Sequence, residues 1–299
     1  MKRSLFCMLL LIAMILCSCA PADTGETGTT TAAAPDSDPD PAPEKTECEH
    51  VLSDPTCTMP ARCTLCKRPF GSSLGHDWKN GACAVCGVAD SMAQKTEGLV
   101  RIVCVGDSIT KGGYWNNLFG GRLDASQYEV LGFGVNGATG LAAGYDGNMV
   151  PLGYVTTDEY TLSLRNNPDI VVIMLGTNDS KGMNANRIRA DEGEQYKKDM
   201  IDLINSYKEL PAAPKIFLAL PATIYRDPGA GTGINDPALV EVILPLLEAV
   251  AAETGAILID VHTATQGKSE MFPDGVHPNA DGKDLLAQIV AEAILGDAE

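Results

Sequence analysis

The chain has 299 residues, 45% of them hydrophobic, enough apolar material for one sizeable core and too much for wholesale disorder. Its 39 acidic against 22 basic side chains give a formal net charge of -17, which repels a phosphate backbone and excludes nucleic acid as the expected partner. The length suits one domain of ~200 residues carrying attachments.

In chain order, residues 1–18 come first and read as an export signal. Lys2 and Arg3 precede an apolar run from Leu5 to Leu16 that is too short and too near the terminus for a lasting membrane span. Leu16-Cys17-Ser18-Cys19 resembles a bacterial lipoprotein lipobox, which implies cleavage before Cys19 and acylation of its thiol and new terminus. The expected location is therefore extracytoplasmic, on the bacterial cell surface, with the membrane met only through this lipid anchor. Residues 19–47, acidic and rich in Pro and Thr with no periodic apolar positions, cannot bury enough surface to offset chain entropy. They read as a disordered tether reaching ~30 Å or more.

Residues 48–90 form a Cys-rich module. Six cysteines and two histidines crowd into 48–87, and the pairs Cys63/Cys66 and Cys83/Cys86 stand 16 residues apart, as in two knuckles closing a four-thiolate zinc site. This resembles a zinc ribbon and leaves Cys48, His50, Cys57 and His76 over, enough for a second site of less diagnostic spacing. Disulfides are the competing reading, since an exported segment meets oxidising surroundings. In either case the crosslinks are structural, and zinc would be a structural ion with no part in the chemistry. Gly71-Ser72-Ser73-Leu74-Gly75 spells a nucleophile elbow, but that device needs a strand before it and a helix after it, and neither flank supplies one.

From residue 97 to 299 the texture is α/β. The runs 99–105, 128–134, 169–175, 215–220 and 256–260 are short, branched and mostly without alternation, as strands buried on both faces of a parallel sheet should be. Helical patterns cover 157–166, about 186–209, 237–254 and 279–295, with Pro245 expected to kink or break the third. Right-handed crossovers between such units give a three-layer α/β/α sandwich with a five-stranded parallel sheet.

Chemistry gathers at the carboxyl ends of such strands. After the first comes Gly106-Asp107-Ser108, after the second Gly134-Val135-Asn136-Gly137, after the third Gly176-Thr177-Asn178-Asp179, and before the last helix Asp274-Gly275-Val276-His277-Pro278. A serine hydroxyl attacks near neutral pH only when an adjacent base takes its proton. His277 can be that base, with Asp274 fixing its tautomer and stabilising the imidazolium. The backbone N–H groups of Ser108 and Gly137 and the carboxamide of Asn178 can point three donors at a carbonyl oxygen. Gly134 and Gly140 are the other glycines the second block offers. His262 with Asp260 is a weaker rival base, and Trp115 either lines the pocket or packs beneath it.

The order G-D-S, glycine block, G-x-N-D and late D-x-x-H resembles the SGNH (GDSL-type) hydrolase superfamily over roughly residues 99–295, with Ser108, Gly137, Asn178 and His277 at its named positions. The resemblance implies a flavodoxin-like three-layer fold and hydrolysis of ester, thioester or acyl groups with no catalytic cofactor. "IVVIMLGTNDSK" and "FPDGVHPNADG" look most like bacterial carbohydrate O-acetylesterases, including sialate and xylan deacetylases. Only 5% of residues are aromatic, and glycine-rich loops at 140–153 and 226–236 flank the expected site. A small acyl group, O-acetyl above all, on a small molecule or glycan is the expected substrate. The alternatives are a lipase or thioesterase of the same superfamily and a glycan-binding surface protein that keeps the fold without the chemistry.

Overall fold

The computed structural model describes residues 48–79, 81–111, 115–227 and 233–297. The export signal, Cys19 and the tether fall outside these residues, as does part of the loop at 226–236.

Two small antiparallel hairpins carry the Cys-rich segment. Strand β1 (Ala61–Arg62) pairs with β2 (Pro69–Phe70), and β3 (Trp78–Lys79) with β4 (Ala82–Cys83). Cys63 and Cys66 turn the chain between β1 and β2, whereas Cys83 and Cys86 turn it after β4, where Ala82 bridges to Ala89. The N–H of Lys67 donates to the Cys63 carbonyl and that of Gly87 to the Cys83 carbonyl, both at 2.9 Å. Lys67 and Gly87 are left-handed, at φ 64 and 74. Because the knuckles belong to separate hairpins, the single four-thiolate grouping of Cys63, Cys66, Cys83 and Cys86 does not form. Cys63 and Cys66 gather with His50, whereas Cys83 and Cys86 gather with Cys57 and His76. The serine-containing stretch 71–75 follows β2 and leads into no helix, so Ser73 has no elbow to stand on.

Charge latches the segment to the α/β domain. Asp90, 2% exposed, accepts from Nε and Nη2 of Arg165 at 2.8 and 2.9 Å, and the Arg165 guanidinium lies 4.8 Å from the centre of the Trp78 ring. Arg101 donates to the carbonyls of Met92 and Gln94, both at 2.8 Å.

The central sheet is made of β5 (Val100–Gly106), β6 (Tyr128–Gly134), β7 (Ile170–Met174), β8 (Lys215–Ala219) and β9 (Ile257–Ile259), in the order β6-β5-β7-β8-β9, all parallel. The apolar runs lack alternation because each face meets its own core. Val103, Val105, Val171, Ile173, Ile216 and Leu218 face one side, and Ile102, Cys104, Val172, Met174, Phe217 and Ala219 the other.

Helices cover both faces, as expected of a flavodoxin-like sandwich. The first face is closed by α4 (Glu194–Lys208) and α6 (Leu244–Thr254), through Tyr196, Met200, Leu203, Tyr207, Leu247 and Val250. The second is closed by α1 (Trp115–Gly120) and α8 (Ala280–Gly296), through Trp115, Phe119, Leu286, Val290 and Ile294. Trp115 is therefore core, packed 6.2 Å from Phe119 by ring centroids, and not pocket lining. Cys104 is likewise buried, and burial pushes its thiol pKa up, leaving it an inert packing residue.

Helix α2 (Asp158–Arg165) matches its expected span closely. The stretch about 186–209 instead divides into α3 (Gly182–Ala190) and α4, because Gly193 adopts φ +82 between them and a Cβ there would lie 2.5 Å from Leu246 Cδ1. Ahead of Pro245 the chain runs through a short turn α5 (Asp236–Ala238) and a π-helical turn at Leu239–Ile243, and α6 then begins with the proline in its first turn. The expected kink is thus absorbed as a π-turn, leaving proline where its missing N–H costs nothing. The short helices α1 and α7 (Val261–Thr265) escape sequence reading because neither is long enough to show a period.

Candidate active site

Four loops leave the carboxyl edge of the sheet and converge. At the end of β5 the chain folds into a tight turn in which the N–H groups of Thr110 and Lys111 donate to the Asp107 carbonyl at 3.2 and 3.0 Å. Ser108 sits at the crest of this turn. A Cβ on Gly134 would lie 2.2 Å from Lys111 N and 2.7 Å from Asp107 O, so only glycine lets β6 pass this close beneath it.

Ser108 Oγ lies 2.9 Å from His277 Nε2, and His277 Nδ1 lies 2.7 Å from Asp274 Oδ2. The other Asp274 oxygen accepts from the N–H groups of Val276 and His277 at 2.9 and 2.7 Å. Partial burial alone would raise the Asp274 pKa, but the hydrogen bonds from the His277 ring and from these two amides outweigh it and hold the carboxyl down at about 2. An ionised Asp274 requires a proton on Nδ1, which leaves Nε2 to accept from the serine hydroxyl. Helix α8 begins two residues after Pro278, with the side chain of Asn279 accepting from Gly282 N at 3.0 Å as its cap. Pro278 ends the extended loop, and Asn279 caps the helix.

Asn178 and Gly137 line the same cavity as Ser108 and His277. Asn178 Nδ2 donates to Ala138 O at 3.0 Å and to Asp107 Oδ2 at 3.3 Å, two acceptors that fix which end of the carboxamide is the NH2. The three glycines of the second block separate by role. Gly134 is wedged under the serine turn, and the N–H of Gly140 is taken by Asp179 Oδ2 at 2.9 Å. Gly137, at φ +82, is the one of the three that borders the cavity. His262 is not near this group. It is buried and paired with Asp236 Oδ1 at 3.2 Å, while Asp260 caps α7 through Thr263 N.

Beneath the site lies a layer of charge that the motifs do not announce. Asp179 is fully buried and accepts from the N–H groups of Gly140 and Leu141, both at 2.9 Å, pinning the glycine block to the end of β7. Asp107 is also buried and accepts from Ile109 N at 2.9 Å. Burial pushes both carboxyls up to about 6, against the pull of these backbone donors and of the Lys181 charge. Lys181, only 4% exposed, has its pKa lowered by burial despite the nearby Asp146, Asp179 and Asp107. Arg226 donates from Nε to the Asp274 carbonyl at 3.1 Å, with Nη2 3.5 Å from Asp274 Oδ2. The aspartate of G-x-N-D was legible as part of a motif. Lys181, Asp146 and Arg226 carry no local signal at all.

The cavity holds about 520 Å³ and is bordered by Asn136, Asp146, Asn148, Lys181 and Arg226 around the Ser108–His277 pair. Loops 140–153 and 226–236 contribute Asp146, Asn148, Arg226 and Ile234, as their position in the chain led us to expect. A smaller hollow of about 110 Å³, bordered by Ile109, Pro278 and Lys283, opens against the same serine and histidine.

Comparison with known proteins agrees with this architecture. The family described as GDSL-like lipase/acylhydrolase matches residues 104–285, more than half of the chain. An acetylxylan esterase of Xylanibacter ruminicola is 32% identical over 226 residues, covering 68% of this chain and 45% of that protein. A multidomain esterase of Ruminococcus flavefaciens is 25% identical over 130 residues, covering 43% of this chain and 16% of that one. The chain therefore spans less than half the length of either relative. Among solved structures, a proposed arylesterase from Agrobacterium tumefaciens superposes with a TM-score of 0.53 at 24% identity, covering 66% of this chain and 99% of that one. A carbohydrate acetylesterase from Sinorhizobium meliloti gives 0.52 at 21%, covering 66% and 99%. At such identities the likeness is one of fold.

Proposed function

The chain belongs to the GDSL-like lipase/acylhydrolase family, and on that premise we propose that it is a serine esterase removing small acyl groups, O-acetyl above all, from carbohydrates. The observation that carries the reading is the hydrogen-bonded line from Ser108 through His277 to Asp274, at 2.9 and 2.7 Å. In this reading His277 Nε2 takes the hydroxyl proton as Ser108 Oγ attacks the ester carbonyl. The resulting oxyanion is met by the N–H groups of Ser108 and Gly137, with Asn178 adding its carboxamide by sharing the hydrogen now spent on Asp107. Collapse expels the sugar hydroxyl, which takes the proton back from His277 and leaves an acyl-serine. Water then repeats the sequence and releases the acid. Asp274 stays ionised throughout and stabilises the imidazolium.

The shape of the site supports the substrate class. A wide cavity bordered by amides, Lys181 and Arg226 suits a hydroxyl-rich leaving group better than an acyl chain. The small hollow at Ile109 and Pro278 suits the few carbons of a short acyl group. The similarity to an acetylxylan esterase points the same way. Anchoring at Cys19, a reading that rests on the sequence, would hold the domain at the cell surface on its tether within reach of extracellular glycans.

The test is acetate release from acetylated xylan and other acetylated oligosaccharides by the chain and by Ser108→Ala, with p-nitrophenyl esters of increasing length alongside. Acetate release lost in the variant, with activity falling as the acyl chain lengthens, is expected. Turnover of long-chain lipid esters or thioesters with no acetate from any glycan would overturn the substrate assignment. Activity unchanged in the variant would overturn the triad.

A further inference from the structure

We propose that the Cys-rich segment binds two zinc-type cations in separate tetrahedral sites of mixed sulfur and nitrogen ligands. One is held by Cys57, His76, Cys83 and Cys86, and the other by His50, Cys63 and Cys66, with Cys48, two residues before His50 in the chain, as its fourth donor. The proposal is independent of the esterase chemistry.

The distances fit a metal and not a disulfide. Zinc with Zn–S of ~2.3 Å and Zn–N of ~2.0–2.1 Å at tetrahedral angles sets neighbouring sulfurs ~3.8 Å apart and sulfur and nitrogen ~3.6 Å apart. Cys57 Sγ and Cys83 Sγ are 3.7 Å apart, and Cys86 Sγ and His76 Nδ1 are 3.5 Å apart. In the other cluster Cys66 Sγ and His50 Nδ1 are 3.4 Å apart. A disulfide would need its sulfurs at ~2.05 Å. Within each cluster the ligand atoms lie no more than 4.8 Å from one another. The N–H of Cys66 also points at Cys63 Sγ from 3.4 Å, the kind of backbone donor that stabilises a ligating thiolate. Sulfur with imidazole is a donor set that suits zinc and not the hard cations.

The segment needs such crosslinks, because it folds inside out with respect to apolar burial. Val51, Leu52, Met59, Leu65, Leu74, Val85 and Val88 are all exposed, while Cys57, Cys63 and Cys83 are buried. The thiols occupy the interior that a hydrophobic core would otherwise fill. The two ligand sets also interleave, since Cys57 falls between His50 and Cys63 in the chain and belongs to the other cluster. Neither set can be assembled from a contiguous stretch, so loading one site draws in the loop that serves the other. The site that contains His76 reaches the α/β domain through neighbouring rings: His76 lies 4.6 Å from Trp78, on which Arg165 of α2 rests.

Zinc analysis of the full chain purified without chelator, together with X-ray absorption at the zinc edge, tests this. Two zinc ions per chain with a shell containing both sulfur and nitrogen are expected, together with a thiolate charge-transfer band on cobalt exchange. Cys57→Ser combined with Cys83→Ser should lower the content to one ion per chain. Should that variant not fold, the stoichiometry and shell of the wild-type chain decide alone. One ion in an all-sulfur shell, or no metal with the cysteines oxidised to disulfides by thiol counting, would overturn the proposal.

Discussion

Ser108 Oγ and His277 Nε2 stand 2.9 Å apart although 169 residues separate them in the chain. The contact exists because the first strand of the sheet and the loop before the last helix end at the same edge. It sets the first expectation. Ser108→Ala should abolish turnover while leaving the fold intact, since Ser108 holds up no core residue. Asp274→Asn should lower kcat by roughly 10²–10⁴, because an amide cannot hold the imidazole in the needed tautomer. Steady-state kinetics against an unchanged circular dichroism spectrum checks both, and an Asp274→Asn variant at wild-type rate would refute the aspartate's role.

In the proposed mechanism Asn178 would offer the oxyanion its carboxamide by sharing the hydrogen that now goes to Asp107 at 3.3 Å, a long and readily released contact. Asn178→Ala should therefore cost roughly 10²–10³ in kcat, with KM changed far less. A variant whose loss lay wholly in KM would place Asn178 in ground-state binding instead.

Arg226 contacts Asp274 from outside the proposed triad, through its carbonyl at 3.1 Å and its carboxylate at 3.5 Å. Removing one hydrogen bond worth ~1 kcal/mol should slow kcat about fivefold to tenfold in Arg226→Ala. Because the arginine also borders the cavity, KM for a glycan substrate should rise, whereas KM for p-nitrophenyl acetate should not. Equal KM effects on both substrates would count against contact with the sugar.

Asp107 and Asp179 are raised to about 6, so between that value and the unfolded 3.8 the folded protein holds more protons than the unfolded one. Their contribution to stability is therefore most favourable at the acid end of this window and is lost as pH rises through about 6. Asp274, held at about 2, works in the opposite sense: its contribution is present above 3.8 and disappears as pH falls through 2. Asp107→Asn removes one of the raised groups. Its denaturation midpoint relative to wild type should be higher at pH 7 than at pH 5, and a gap that does not move between the two would argue against a buried, titrating Asp107.

Arg165 joins the Cys-rich segment to α2 through Asp90 and Trp78. Arg165→Ala strands a carboxylate that is 2% exposed and should cost ~1–3 kcal/mol, read as a lower unfolding midpoint with esterase activity retained. Loss of activity in step with the midpoint would mean that the segment supports the site itself.

The sequence by itself determined the strands, because residues buried on both faces must be apolar at every position. It also marked Ser108, Asn178 and His277, because their chemistry is written in short motifs at strand ends. Whatever depends on residues that meet without a local rule was decided by tertiary structure. Gly137 could be told from Gly134 and Gly140 only once one was wedged under the serine turn and another's amide was taken by Asp179. Lys181 and Arg226 became cavity residues only when the fold brought the segments bearing them beside Ser108. The spacing of the C-x-x-C pairs suggested one shared cluster, but each pair makes a turn of its own, and the histidines that join them come from elsewhere in the segment. Spacing along a chain limits how near two groups can come, and it is packing in three dimensions that selects which of the permitted pairs meet.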